Sequence, residues 1–314
     1  MPIVPLSPPQ AVPGSGGFDY VTIDSVRRRV YAAHVAARSL LIVDADTGKI
    51  LAQVKVGPLH GVAVDARTGH VFTGNGDAHT VSEIDPATKS VVRTIDVGVP
   101  VDAIAYDGAT KHIYADEDDG NHVVVIDMQS FKVLGKVTLP GHKLEYLSVD
   151  PQSHAVYQNI GDRSAFAVID PESMKVTTLV PTPGLTNLHP LQYDATLHSV
   201  VTVGANGVMG SYHPTGKPQF TLRVPKGIDQ CDLDRSLHMI ACAGLSGLSV
   251  FDLGAKAGPR LIGTLAVGKH VHTVGVDAKT HHIWAVWGSK VHGDFIERFS
   301  ASPLPARRTL DSPS

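Results

Sequence analysis

The sequence is most informative at first through what it has little of. It holds two cysteines, Cys231 and Cys242, too few for a disulfide framework or a cysteine-rich zinc site. No stretch approaches the roughly 18 consecutive apolar residues that a membrane span needs. The first residues, Met1-Pro2-Ile3-Val4-Pro5-Leu6, show no charged segment leading into a long apolar one, so no export leader is read there. As written the chain reads as soluble and cytoplasmic; an exported parent whose leader had been trimmed would read the same way, which keeps a periplasmic or secreted location open. Neither charge sign dominates: 27 Lys and Arg stand against 30 Asp and Glu. That balance argues against a dedicated nucleic-acid or membrane-surface protein. There is no P-loop, dinucleotide fingerprint, Gly-x-Ser-x-Gly elbow or His-Glu-x-x-His helix, and no organic cofactor is expected.

What is present is a repeat. With 43% hydrophobic residues in 314, the chain can bury a sizeable core, and 30 Gly and 21 Pro spread along it punctuate many short elements. The clearest copy reads HGVAVD at 60–65, HVFTGN at 70–75, TVSEID at 80–85 and SVVRTIDV at 90–97. Runs of this length split by turn residues make one antiparallel four-stranded sheet. The aspartate closing the first strand recurs as Asp24, Asp65, Asp107, Asp150, Asp194, Asp234 and Asp277, at spacings of 41, 42, 43, 44, 40 and 43. A second aspartate follows the third strand, at Asp44, Asp85, Asp127, Asp170 and Asp252. Both columns read as turn formers whose carboxylates cap backbone amides.

Seven small sheets arranged radially bury each face against a neighbour. The fold class is therefore all-β, a seven-bladed β-propeller of four-stranded antiparallel blades. It is read as one domain over 1–314, with blades starting near 18, 59, 101, 144, 188, 228 and 271 and with 1–17 and 300–314 as closure strand and tails. The last copy has three clear strands, so a fourth must come from Ile3 to Leu6 or from Arg307 to Leu310. The first is preferred, because Pro5 is tolerable on an edge strand.

The stretch VFTGN at 71–75 followed by TVSEIDPATKSVVRTIDVG at 80–98 resembles the YVTN-repeat (YncE-like) propeller family, and the likeness in type covers nearly the whole chain. That resemblance implies the propeller fold and frequent export; it implies no defined reaction. The family repeat usually ends in Asn where this chain has His34, Glu117 and Trp287. The departure points away from a purely structural role for that column.

One column carries the chemistry. Five residues before each strand-closing aspartate stand Asp19, His60, Asp102, Glu145, His189, Asp229 and His272. Asp, Glu and His form about 15% of the chain, so seven independent draws would all land on them roughly two times in a million. In a propeller these positions share one mouth of the central channel. His60, His189 and His272 fall in blades two, five and seven, as evenly as seven allows, and three imidazoles converging on an axis can bind Zn, Mn, Fe or Cu, with Mg as a further candidate. The interleaved carboxylates would orient the rings or, at Glu145, act as a base. His34, Glu117 and Asp102 are further catalytic candidates; Asp19, Asp229, Tyr20, Tyr146, Trp287 and His270 are candidates for orienting ligands or walling a substrate pocket.

The histidines in the turn between first and second strands, including His70, His112, His154, His198, His238, His281 and His282, fall on the opposite face and read as surface residues. Cys231 and Cys242 read as cross-strand neighbours: a disulfide if exported, and, as the favoured reading, two reduced core thiols. Together these features predict a metal-dependent small-molecule enzyme, most simply a lyase, with its site at the channel mouth. The His-Gly-Val at 60–62 is also similar, locally, to the streptogramin B lyases, propellers that use metal and histidine at that mouth. A metal-dependent ester or lactone hydrolase needs the same parts. A non-enzymatic ligand- or metal-binding scaffold is the alternative. The expected partner is a small molecule, neither nucleic acid nor membrane, and oligomeric state is left open.

Overall fold

The computed structural model describes residues 3–268 and 271–301, and within them seven antiparallel sheets follow one another along the chain. Their inner strands are Val21–Asp24, Leu59–Val64, Val101–Asp107, Leu144–Val149, Leu188–Asp194, Ile228–Asp234 and Thr273–Val276. Each inner strand contacts those of the blades before and after it, and the seventh contacts the first. The sheets thus close into a seven-bladed β-propeller. Among the described residues the helical content is one 3-10 turn at Gly161–Arg163. None of it is long and apolar enough to cross a membrane.

Burial follows from the radial packing. Second strands such as Val71–Asn75, Ser199–Gly204 and Met239–Gly244 are buried at every residue, because each blade has a neighbour on both faces. Outer strands such as Ser90–Asp96 are largely exposed. The core is therefore a series of layers between blades rather than one centre. Tyr31, Leu40 and Ile42 of the first blade, for example, pack against Leu59, Val71 and Ile84 of the second.

The recurrent aspartate explains the turn that follows it. One carboxylate oxygen accepts the amide two residues on in all seven blades, from Val26 to Asp24 at 3.0 Å through Lys279 to Asp277 at 3.1 Å. The fourth residue after it then adopts positive φ: Arg28, Gly69, Lys111, His154, His198, His238 and His281, between 46° and 85°. Only Gly69 takes this conformation without steric cost.

The same turn locks blade to blade, which corrects the reading of His154, His238 and His281 as plain surface residues. The second aspartate oxygen reaches the next blade: Asp107 to His154 at 2.9 Å, Asp194 to His238 at 2.8 Å, Asp234 to His281 at 2.6 Å, and Asp277 to Arg28 at 2.6 Å. Positive φ swings the side chain sideways toward its neighbour. The Asp277–Arg28 pair joins the last blade to the first.

Ring closure uses the N-terminal segment. Ile3–Pro5 pairs with Phe299 to Ala301 and Gln10–Val12 with Asp294 to Ile296, both on the outer side of Gly293–Ala301. Arg307 to Leu310 lies outside the described residues. Further contacts cross this seam: Arg298 donates to the carbonyls of Ala45 and Asp46, and Gly17 N donates to Asp294.

Cys231 and Cys242 face each other in register across the sixth blade and are disulfide-bonded, in place of the two free thiols favoured from the sequence. Denatured without reductant, the chain should react with no iodoacetamide; two modified cysteines before reduction would disprove the bond. For the seam, Arg28→Met leaves Asp277 buried without its partner and is expected to lower unfolding stability by about 3 kcal/mol in denaturant titration. Adding Asp277→Asn, which keeps the turn cap, should restore most of it. A single variant within about 0.5 kcal/mol of the parent would mean that the pair does not hold the ring.

Candidate functional site

Five inner strands break register at the same place. Pairing with the second strand skips between Leu59 and Val62, Val101 and Ile104, Glu145 and Leu147, Leu188 and Leu191, and Ile228 and Gln230. Into those gaps fall His60, Asp102, Tyr146, His189 and Asp229. A bulge releases a residue from the ladder and re-aims its side chain. Asp19 and His272 stand just ahead of their strands. The fourth blade differs: Glu145 stays paired, and the displaced residue is Tyr146, at φ 54°. Neighbouring side chains hold the bulges. Asn159 Nδ2 donates to the carbonyls of His189 (2.8 Å) and Pro190 (3.1 Å), and Ala103 N donates to Asp116 (2.6 Å).

All seven column residues line one cavity of about 280 Å3, together with Tyr20, Tyr146, Asp118 and Gln230. They form two arcs. In the first, His60 Nδ1 lies 2.7 Å from Asp19 and 3.9 Å from Asp102, while Tyr20 OH donates to Asp102 at 3.1 Å. Gln230 reaches from the sixth blade to donate to Asp19 at 2.8 Å. In the second arc, Asp229 bridges two imidazoles, His189 at 3.3 Å and His272 at 3.0 Å, and His189 also faces Glu145 at 3.7 Å. Tyr20 and Tyr146, with ring centroids 5.4 Å apart, line this cavity and a second one of about 350 Å3 on the lower side, so they form its floor.

The electrostatics follow from crowding in a half-dry mouth. Burial, then the charges of Asp19, Asp116 and Glu145, push the Asp102 carboxyl well above its usual range. Burial raises Asp116 to about 8 against the opposing hydrogen bonds from Gln158 and Ala103. Glu145 rises to about 7, through burial first, with His189 opposing and Asp229 adding. The hydrogen bond to Asp19 raises His60, and that to Asp229 raises His189. Burial alone would lower His272 and raise Asp229; their mutual bond outweighs it, lifting the imidazole and, with His189, holding the carboxylate far below its usual range.

The expected three-imidazole centre is not what this geometry makes. Among the described residues, one group of three ligand-type side chains has all its donor atoms within 4.8 Å of one another: Asp19, His60 and Asp102. His189 and His272 are drawn sideways to Asp229 instead of inward to a common point. Several second-tier residues also leave the site. His34 is fully buried, 2.6 Å from Asp294 and stacked on Phe18, inside the seam between the first and last blades. Glu117 turns to His122 at 2.7 Å, and its neighbour Asp118 lines the cavity in its place. Trp287 belongs to the core of the last blade, against Phe295. His270 lies outside the described residues. Sequence reading missed Gln230, Asp116 and Gln158; a polar residue inside an apolar inner or second strand was the available signal.

Comparison with known proteins fits this picture of the fold. No protein-family model matches the chain, and no curated protein does. Among solved structures it is similar to hydrazine synthase of Kuenenia stuttgartiensis, with a TM-score of 0.78 and 14% identity, over 93% of this chain and 98% of that one. At such identity the likeness is one of architecture.

Glu145 gives the mouth a pH signature. Folded, it keeps its proton to about 7; unfolded, it loses it near 4.5, so between those values the folded state binds more protons and stability falls as pH rises. His189 and His272, raised above 6.5, act in the same direction as pH passes that value. Unfolding free energy without added metal should therefore decline from about pH 5 to 7, and Glu145→Gln should flatten the decline. A rise over that interval would contradict the assignment.

Proposed function

We propose that the protein is a metal-dependent enzyme that moves protons on a small molecule at this mouth, most simply a lyase. One observation carries the reading: a carboxylate–imidazole–carboxylate cluster with ligand spacing shares a single 280 Å3 cavity with a second arc of ionisable groups, Glu145, His189, Asp229 and His272. Asp19, His60 and Asp102 would hold the ion. The donor chemistry fits, because a cation would stabilise the charged form of Asp102 against the burial, and then the neighbouring carboxylates, that keep it protonated, and one nitrogen with two carboxylates suits Mn, Fe, Zn or Mg better than Cu. A divalent ion there would supply Lewis-acid polarisation of a substrate oxygen.

The chain's own residues account for the rest. Glu145 can give or take a proton near pH 7. His189 and His272 are oriented by one shared carboxylate, which holds both rings through their Nδ1 atoms. Tyr20 and Tyr146, which line both cavities, would limit the reaction space to the upper side. Hydrolysis of an ester or lactone would use the same groups. The bonded cysteines support an oxidising compartment, in keeping with the export common in the YVTN-type propellers it resembles. A non-enzymatic binding propeller is favoured by one observation: both nitrogens of His189 already have partners, Asp229 and Asn187.

Metal titration by calorimetry on untagged protein separates the two. One Mn2+ or Zn2+ should bind per chain, and His60→Ala or Asp102→Asn should weaken it by about tenfold or more, whereas His272→Ala should leave it in place. In a screen of small esters, lactones and β-substituted acids, Glu145→Gln should lower kcat by about a hundredfold with metal retained. A chain that binds no divalent ion would sink the enzymatic reading.

A further inference from the structure

Beside the ring cavity a larger groove of about 600 Å3 opens over blades five, six and seven. The two share His189, Asp229 and His272. Among the described residues, away from those three, the groove is lined by no ionisable side chain; its walls are Ile228, Leu245, Val267 and Val271, two alanines, Ser246 and four glycines. The glycines keep it open by letting chains pack closely. A Cβ on Gly244 would stand 2.2 Å from the Gly227 carbonyl, and one on Gly268 would stand 1.8 Å from Trp287 Nε1, so the indole lies directly beneath that wall. The volume falls in the range of small-molecule sites, about 300–1,000 Å3.

At the shared end the ionic partners are already spent. Asp229 gives one oxygen to each imidazole, and Asn187 faces His189 Nε2 at 3.1 Å. A charged group entering the groove would lose water and find no free counter-charge among the described lining residues, whereas an uncharged apolar group loses little. We propose that this groove holds the uncharged, apolar body of the substrate, with one polar reacting group laid against the His189–Asp229–His272 end of the ring. The inference rests on the enzymatic reading of the mouth and names its substrate class: a small, uncharged amphipathic molecule.

Trp287 reports on occupancy. In a Trp284→Phe chain, where it is the remaining tryptophan, 4-nitrobenzyl alcohol should quench its emission saturably, and calorimetry on the unaltered chain should give the same constant. Ala266 is exposed on the groove wall, so Ala266→Phe fills the space without disturbing the core and should weaken the probe about tenfold or more while metal binding stays unchanged. Quenching that never saturates, or that neither Ala266→Phe nor Ala205→Phe weakens, overturns the proposal. Tighter binding of 4-nitrobenzoate than of the alcohol overturns the uncharged class. The two readings fail separately: metal bound with no saturable probe removes the groove, and probe bound with no metal removes the metal centre and leaves the groove as a ligand site.

Discussion

Closing seven sheets into a ring forces seven equivalent strand starts onto one small opening, and most of the chemistry of this protein follows from that constraint. Side chains that would be independent on an open surface become neighbours there. Tyr20 of the first blade touches Asp102 of the third, and Gln230 of the sixth touches Asp19 of the first. In such a space carboxylates either find a counter-charge or keep their protons. Both solutions are used: Asp229 is compensated by two imidazoles, and Asp102 stays protonated far above its usual range.

The opposite face solves a different problem with the same residue type. There the strand-closing aspartates bind their own turn with one oxygen and the next blade with the other, so a local capping device doubles as the clamp between blades. Four of these clamps use a side chain set at positive φ, an arrangement that costs backbone strain. The strain is offset because the swung residue meets a buried carboxylate of the neighbouring blade.

The architecture was legible because its signals are periodic. Asp24 through Asp277 mark every blade, and the Asp19-to-His272 column singled out the mouth before any coordinates. The register of Cys231 against Cys242 could be read as well, since it follows from the hairpin; whether they bond depends on the redox surroundings, which no residue encodes. Side-chain direction was hidden. His34 and Asn75 end equivalent strands, yet His34 is sealed in the closing seam by Asp294, a residue 260 positions away. Bulges at His60, Asp102, His189 and Asp229 carry no one-residue signature, so the turn of each imidazole toward a neighbouring carboxylate, and with it the loss of a three-histidine centre, came from packing between blades.

The odd number of blades forces one junction of like residues in the column. Around the ring the column reads Asp19, His60, Asp102, Glu145, His189, Asp229, His272 and back to Asp19, in the order in which the inner strands touch. An even ring could alternate acid and imidazole throughout; a ring of seven must place two of one kind side by side at least once. Here it does so once, at Asp102 and Glu145. Every other acid in the column has an imidazole on both sides, and these two share one each with the outer members of their arcs. It is these two carboxyls that are pushed up, Asp102 well beyond its ordinary range and Glu145 to about 7, with burial the first cause in both. Proton affinity is thus raised at the one step where pairing fails. A cation seated by Asp19, His60 and Asp102 would relieve one side of that step and leave Glu145, on the other side, free to exchange its proton with a bound molecule.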